Sequence, residues 1–286
     1  MFQITGLHIY PVKSCRGFGV PNWGVTRYGF RHDREFLVVD QQWDFLTQRM
    51  HPRLALVQTF PEPDLLRLRA PNLPEMTFPW FGSPEDHPIE SKRSVRIWRD
   101  QVEADDCGEE IAEWFSAHLG CKARLVRMGD RYRRSVQPEK VPAVHQEALG
   151  IREVGFADAY PFLIISEASL ADLNHRLLQP IPMDRFRPNI VVGGAQDSHA
   201  EDQWQSIDIG SLRFRRGAPC IRCVVTTTDQ STLERGPEPL KTLATYRRNS
   251  DGGVNFGVNF FCESSAGTIR VGDVIRLPPN EMTDDK

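Results

Sequence analysis

Arg34-Glu35-Phe36-Leu37-Val38-Val39-Asp40 is followed by Gln41-Gln42-Trp43-Asp44 and then by Phe45-Leu46-Thr47-Gln48-Arg49. An apolar, β-branched run, a polar break and a second run read as a hairpin. The same texture extends in both directions. Upstream, Gln3 to Tyr10 is a strand that stops at Pro11, where the chain loses a donor and φ is locked. Downstream, Arg53 to Phe60 and Asp64 to Ala70 are two more strands separated by Pro61-Glu62-Pro63. Ser94 to Trp98 then alternates apolar with polar ahead of a second short strand. Short strands at close spacing with no long helix predict a small barrel or sandwich over residues 1–105.

The period changes at residue 109. Ile111, Trp114, Phe115 and His118-Leu119 share one helical face, and Gly120 ends the pattern. Lys122 to Met128 returns to a strand, and residues 129–150, polar and basic with two prolines, read as a linker or a loop over a site. This divides the chain into an N-terminal domain, 1–125, and a second domain, 126–280. In the second, Pro161 to Ile165 is a buried strand and Ser166 caps a helix from Glu167 to Leu177. Phe186 to Val192 is a strand, Ile207 to Phe214 a hairpin, Cys223 to Thr228 a β-branched strand and Pro239 to Arg248 a short helix. Val254 to Phe261 and Thr268 to Leu277 close the fold. The predicted class is mainly β with a few helices (α+β).

Composition narrows the function. A chain of 286 residues buries enough surface to need neither disulfide nor zinc for its core. It has no apolar run of the ~18 residues a membrane helix requires, and its first residues lack the basic and apolar regions of a signal peptide. No membrane association and a cytoplasmic location are expected. A formal charge of −3 argues against nucleic-acid binding, which needs a basic footprint. The six cysteines are scattered, only Cys220 and Cys223 being close, so they read as buried thiols, metal ligands or reactive thiolates.

The strongest local feature is Gly217-Ala218-Pro219-Cys220-Ile221-Arg222-Cys223 ahead of Val224-Val225-Thr226-Thr227-Thr228-Asp229. A cysteine beside an arginine favours the thiolate, a soft metal ligand. Three readings compete: a redox pair, structural zinc, for which no second CxxC or HxxxH supplies ligands, and a single thiolate ligand or nucleophile. Lys13-Ser14, followed by Arg16-Gly17, is a phosphate cradle or a solvated turn, since the upstream glycines of a P-loop are absent. Arg34, Arg49 and Arg187 stand at the edges of apolar strands, as phosphate-binding guanidiniums or as surface charges. Asp158, before Tyr160-Pro161, is an active-site carboxylate or a turn residue. The Arg131-Tyr132-Arg133-Arg134 cluster reads first as a solvated loop and second as a guide for an anionic cofactor or acidic partner.

These pieces occur together and in order in one family. YPVKSCRG (10–17), DREFLVVD (33–40), TQR (47–49), SEASLADLN (166–174), FRPNIVV (186–192), CIRCVVTTTD (220–229), EPLKTLATYR (238–247) and GTIRVGD (267–273) span nearly the whole chain. The sequence resembles MOSC-domain molybdenum-cofactor proteins of the amidoxime-reducing type. The resemblance implies an N-terminal β-barrel domain packed on a β-rich MOSC domain, with the cofactor between them. It makes Cys223 the molybdenum ligand and Cys220 its companion. Lys13, Ser14, Arg34, Arg49, Arg187 and Asn189 would hold the pterin and its phosphate. Arg222 would lie beside the ligand, Asn259 would line the pocket and Asp158 would be the acidic residue near the metal, with a catalytic role. The cofactor's two sulfurs explain why one protein thiolate suffices.

The implied activity is reduction of small N-hydroxylated compounds (hydroxylamines, amidoximes, N-hydroxylated bases), with detoxification as its setting; pyridoxal phosphate binding is a further expectation. The C-x4-C-x2-C run of a plant-type ferredoxin domain is absent from this sequence, so no iron–sulfur cluster is expected in the chain. Electrons would come from a separate flavin reductase, ferredoxin or cytochrome. Two other classes stay open: a non-catalytic cofactor or sulfur carrier using the same pocket, and a cofactor-free thiol–disulfide enzyme using Cys220 and Cys223.

Overall fold

Ile4, Leu7 and Ile9 point inward from the first strand, Phe2–Ile9, and are buried. Their partners are far along the chain. In the computed structural model, which describes residues 1–80, 92–137, 139, 141–143, 145 and 153–278, Phe2–Ile9 pairs antiparallel with Ile190–Gly193 on one side and with Val274–Arg276 on the other. Those two pairings close a seven-stranded barrel that continues through Phe162–Ser166, Asn255–Cys262, Leu212–Ile221 and Ser206–Ile209. Closure leaves no unpaired edge in the ring. Phe30, Phe162, Phe214 and Phe260 belong to the core cluster this barrel encloses.

The one parallel pair described in the barrel, Phe162–Ser166 with Ile190–Gly193, needs a crossover, and the helix Glu167–Arg176 supplies it. Ser166 Oγ accepts from Ser169 N, the cap read from the sequence. The earlier part of the chain builds a four-stranded sheet from Phe36–Val39, Arg124–Arg127, Asp100–Asp106 and Lys92–Ile97 and a three-stranded sheet from Gln58–Pro61, Leu65–Arg69 and Met76–Pro79. Asn22–Thr26 and Gly29–Phe30 form a third sheet with the late strand Ala266–Arg270. The helix Glu109–Leu119 spans the predicted residues, buries Ile111, Trp114 and Phe115, and ends on left-handed Gly120. The class is mainly β with a few helices, as the sequence predicts. Residues 138, 140, 144 and 146–150 of the predicted loop lie outside the described residues.

Four local expectations are corrected. Phe45 to Arg49 is not a strand: only isolated bridges form at Asp44 and Phe45, and Thr47 turns the chain by accepting from Met50 N and His51 N. Arg53 to Phe60 opens instead as a 3-10 helix, Pro52–Leu56, because proline favours a first helical turn; the strand there is only Gln58–Pro61. Cys223 to Thr228 is a 3-10 turn, Val224–Thr227, in which the Thr226 and Thr227 hydroxyls donate back to the carbonyls of Cys223 (3.0 Å) and Val224 (2.8 Å). Such back-bonding outweighs β-branched strand propensity. Lastly, Phe186 to Val192 is extended only from Ile190 onward, since Arg187 takes a left-handed backbone and Pro188 follows it.

Candidate functional site

The 10–17 turn shows how the chain builds one wall of a site. Val12 bridges Phe36, and Lys13 N donates to Phe36 O (2.9 Å), which lifts Lys13 and Ser14 off the end of the first strand. Gly17 permits this: a Cβ there would lie 2.3 Å from the Ile9 carbonyl and 2.5 Å from the Tyr10 ring. The Tyr10 ring in turn carries two guanidiniums, Arg34 and Arg187, each 4.3 Å from its centroid, and its hydroxyl donates to Pro188 O. Ser14, Arg34 and Arg187 all adopt φ between 47° and 68°. Three non-glycine residues in this sparsely populated region around one cavity are the kind of strain that clusters at ligand sites.

That cavity has a volume of about 480 Å³, within the range typical of small-molecule sites. Lys13, Ser14, Arg34, Arg49, Asp158, Arg187, Asn189, Arg222, Cys223 and Asn259 all line it, so the structure brings every candidate residue to one place. They arrive from the 10–17 turn, the Thr47 turn, the loop before Phe162, the left-handed turn at Arg187, the end of Leu212–Ile221 and the middle of Asn255–Cys262. Asn189 also stitches the fold, its Oδ1 accepting from Leu163 N (3.2 Å) and its Nδ2 donating to His8 O (3.3 Å). Asn259 Nδ2 donates to Ala218 O (3.1 Å).

Charge in the cavity is lopsided. Lys13, Arg34, Arg49, Arg185, Arg187 and Arg222 line it against a single carboxylate, Asp158, among the described residues. Burial, reinforced by Arg34, lowers the Arg187 pKa from its usual value. Arg34 pairs with Asp33 (2.5 Å) and also reaches Arg187 O (3.3 Å). Burial pushes Lys13 down to about 8, against the pull of Asp158. The Asp158 side chain is 58% exposed; desolvation by the surrounding wall acts upward on it, but Lys13, Arg49 and the Trp98 N–H outweigh this and hold the carboxyl well below the usual range. Asp158 pairs with Lys13 Nζ and accepts from Trp98 Nε1 (3.2 Å), with Arg49 at 3.7 Å.

Cys223 stands, half-buried, between the end of a strand and the 3-10 turn. Arg222 does not serve it: its Nη1 meets Cys220 Sγ (2.8 Å) and its Nη2 donates to Phe186 O (2.7 Å). Burial nevertheless pushes the Cys220 thiol up. Among the described residues no three His, Cys, Asp or Glu converge to hold a bare metal ion.

Several residues here escaped sequence reading. Buried Arg185 ties the turn after Cys223 to the Arg187 segment through Thr226 O (3.1 Å) and Asp229 (3.1 Å). Gln48, also buried, donates to Ser14 O (2.6 Å) and Gln230 Oε1 (3.0 Å). Arg134 corrects the solvated-loop reading of the basic cluster. It is buried, donates to Asp100 (2.7 Å), and holds the carbonyls of Gly155 (3.0 Å), Ala157 (2.5 Å) and Asp158 (3.2 Å). Nothing local in RYRR distinguishes that arginine from its neighbours.

Comparison with known proteins agrees with this layout. The MOSC N-terminal beta barrel domain matches residues 1–122 and the MOSC domain residues 152–276. Mitochondrial amidoxime-reducing component 1 of Mus musculus is 35% identical, covering 96% of this chain and 82% of its own. Mitochondrial amidoxime reducing component 2 of Rattus norvegicus is 36% identical over 95% and 82%. The chain belongs to the amidoxime-reducing component family of MOSC proteins. Human molybdenum cofactor sulfurase is 29% identical over 89% of this chain but only 29% of its own length.

A phosphate-bearing pterin carrying a thiophilic metal makes two demands of a MOSC protein, and the residues present meet both. The excess of lysine and arginine over carboxylate calls for an anion. Arg222 Nε is buried without a hydrogen-bond partner, a donor left for a ligand. Cys223 lines the same cavity and offers sulfur, while such a cofactor would bring the remaining metal ligands.

Proposed function

We propose that this MOSC protein is a molybdenum-cofactor oxidoreductase that reduces N-hydroxylated compounds, taking electrons from a separate redox protein of flavin-reductase, ferredoxin or cytochrome type in the cytoplasm. The observation that supports it best is the meeting of Cys223 with a cation-rich cavity of about 480 Å³. When bound, the cofactor supplies a two-electron centre for N–O cleavage: R–NHOH, two electrons and two protons give R–NH2 and water.

The chain's own residues divide the remaining work. Cys223 anchors the metal. Lys13, Ser14, Arg34, Arg49, Arg187, Asn189, Arg222 and Asn259 hold the pterin and its phosphate. Asp158, held ionised by Lys13 and Arg49, accepts a hydrogen bond from the N–OH group and fixes its orientation. An acid that strong is a poor proton source at neutral pH. Lys13, pushed down to about 8, has a proton exchangeable near the working pH and supplies it.

The similarity to molybdenum cofactor sulfurase favours a second reading, a cofactor or sulfur carrier that reduces nothing. Incubating the cofactor-loaded, dithionite-reduced protein with an amidoxime and measuring amidine by chromatography separates the two. Amidine formed in proportion to the molybdenum present is the expected result. No amidine from fully loaded protein would replace the reductase with the carrier.

A further inference from the structure

Lys92–Ile97 and Asp100–Asp106 are joined by Trp98-Arg99, and Trp98 takes a left-handed backbone, φ 57°. Turns of this kind favour Asn, Asp or Gly there, so turn chemistry gives no reason for an indole at that position. The hairpin tip is firmly placed. Arg96 pairs with Asp44, and Arg134 joins Asp100 to the carbonyls of Gly155, Ala157 and Asp158. The tip and the Asp158 loop are therefore held together. Trp98 Nε1 donates to Asp158 Oδ1 (3.2 Å), the Arg49 guanidinium lies 4.7 Å from the indole centroid, and Phe45 packs at 4.9 Å. Even so, 42% of Trp98 is exposed. A fixed, part-exposed aromatic side chain thus adjoins two residues that line the cavity, Arg49 and Asp158, the second being its one carboxylate among the described residues.

We propose that Trp98 is the specificity-determining residue of this site, an apolar platform for the ring of planar, aromatic N-hydroxylated substrates whose N–OH group reaches Asp158. The proposal rests on the reductase reading and adds a substrate preference to it. A small aliphatic amidoxime presents the same reacting group but has no ring to cover the indole. Stacking of a flat ring on an aromatic side chain carries ~1–3 kcal/mol, so the platform sets a preference of about tenfold or more for aromatic substrates.

Benzamidoxime and acetamidoxime, which share the reacting group and differ in the ring, test this on cofactor-loaded protein. Binding is measured by calorimetry without reductant, and kcat and KM with reduced methyl viologen as electron source. Trp98→Ala also removes the N–H to Asp158, a loss both compounds share, so the platform is read from the difference: benzamidoxime binding and KM are expected to worsen about tenfold more than the acetamidoxime constants. Trp98→Phe keeps an aromatic surface but loses the N–H to Asp158, and is expected to retain most of the preference. Equal losses for both compounds in Trp98→Ala would make Trp98 a support for Asp158 and overturn the proposal, as would an unchanged preference. A preference in binding that Trp98→Ala abolishes, with no turnover of either compound by the wild type, would uphold the platform and remove the reductase reading instead.

Discussion

Asp158 keeps its charge because Lys13, Arg49 and the Trp98 N–H surround it, and that charge has a predictable use. Asp158→Asn keeps the shape and loses the carboxylate, so molybdenum content is expected to stay near that of the wild type while turnover falls by about 10²-fold, the scale of a lost substrate-positioning contact. Metal analysis beside steady-state rates checks it; unchanged turnover would remove Asp158 from the reaction. Lys13 makes a second prediction, in pH. Its folded value, about 8, lies below the usual lysine value of 10.5 because burial disfavours the cation. As pH rises through about 8 the cavity loses a charge and a proton donor, so activity and sulfate affinity both decline. Sulfate is the useful probe because its own charge does not change in this range. Arginine stays protonated, so Lys13→Arg is expected to flatten the sulfate curve; a decline that persists would place the titration elsewhere.

Between the residues and the whole stand the turns that bring them together, and Arg134 matters most among them. Its side chain is 5% exposed and bonds to Asp100 and to three carbonyls of the Asp158 loop. Removing Arg134 leaves Asp100 and three carbonyls without their donor, which costs about 1–3 kcal/mol. Arg134→Ala is therefore expected to lower the urea midpoint and to raise KM for the N-hydroxylated substrate, because the loop carrying Asp158 loosens. A lowered urea midpoint with KM unchanged would make it a fold residue alone. These turns also mark where sequence reading stops. The Glu109–Leu119 helix and the Ser166 cap were legible because periodicity and capping are local signals. The Cys223 segment was misread because β-branched residues advertise a strand, whereas two threonine hydroxyls bonding back to the chain make a 3-10 turn. Arg134 and Gln48 were illegible because their partners lie at least 20 residues away, and nothing near them in sequence records the contact.

At the scale of the whole molecule, Phe2–Ile9 completes a barrel otherwise made from residues 162–276. The Lys13 turn follows directly from that strand, so closing the barrel also delivers Lys13 and Ser14 to the cavity that Cys223 lines. Each cation is ambiguous alone; the family motifs read jointly imply one anion site, and the structure brings these side chains to one cavity. The two cysteines separate the surviving alternatives. Cys220, pushed up by burial and engaged by Arg222, is a neighbour in this reading, whereas a thiol–disulfide enzyme needs both thiols equally. The most direct measurement is molybdenum and zinc per chain, by mass spectrometry, on protein from a cofactor-competent host, for wild type, Cys223→Ala and Cys220→Ser. The expected result is close to one molybdenum per chain in the wild type, little change in Cys220→Ser and loss in Cys223→Ala. Stoichiometric zinc without molybdenum, or molybdenum retained in Cys223→Ala, would contradict it.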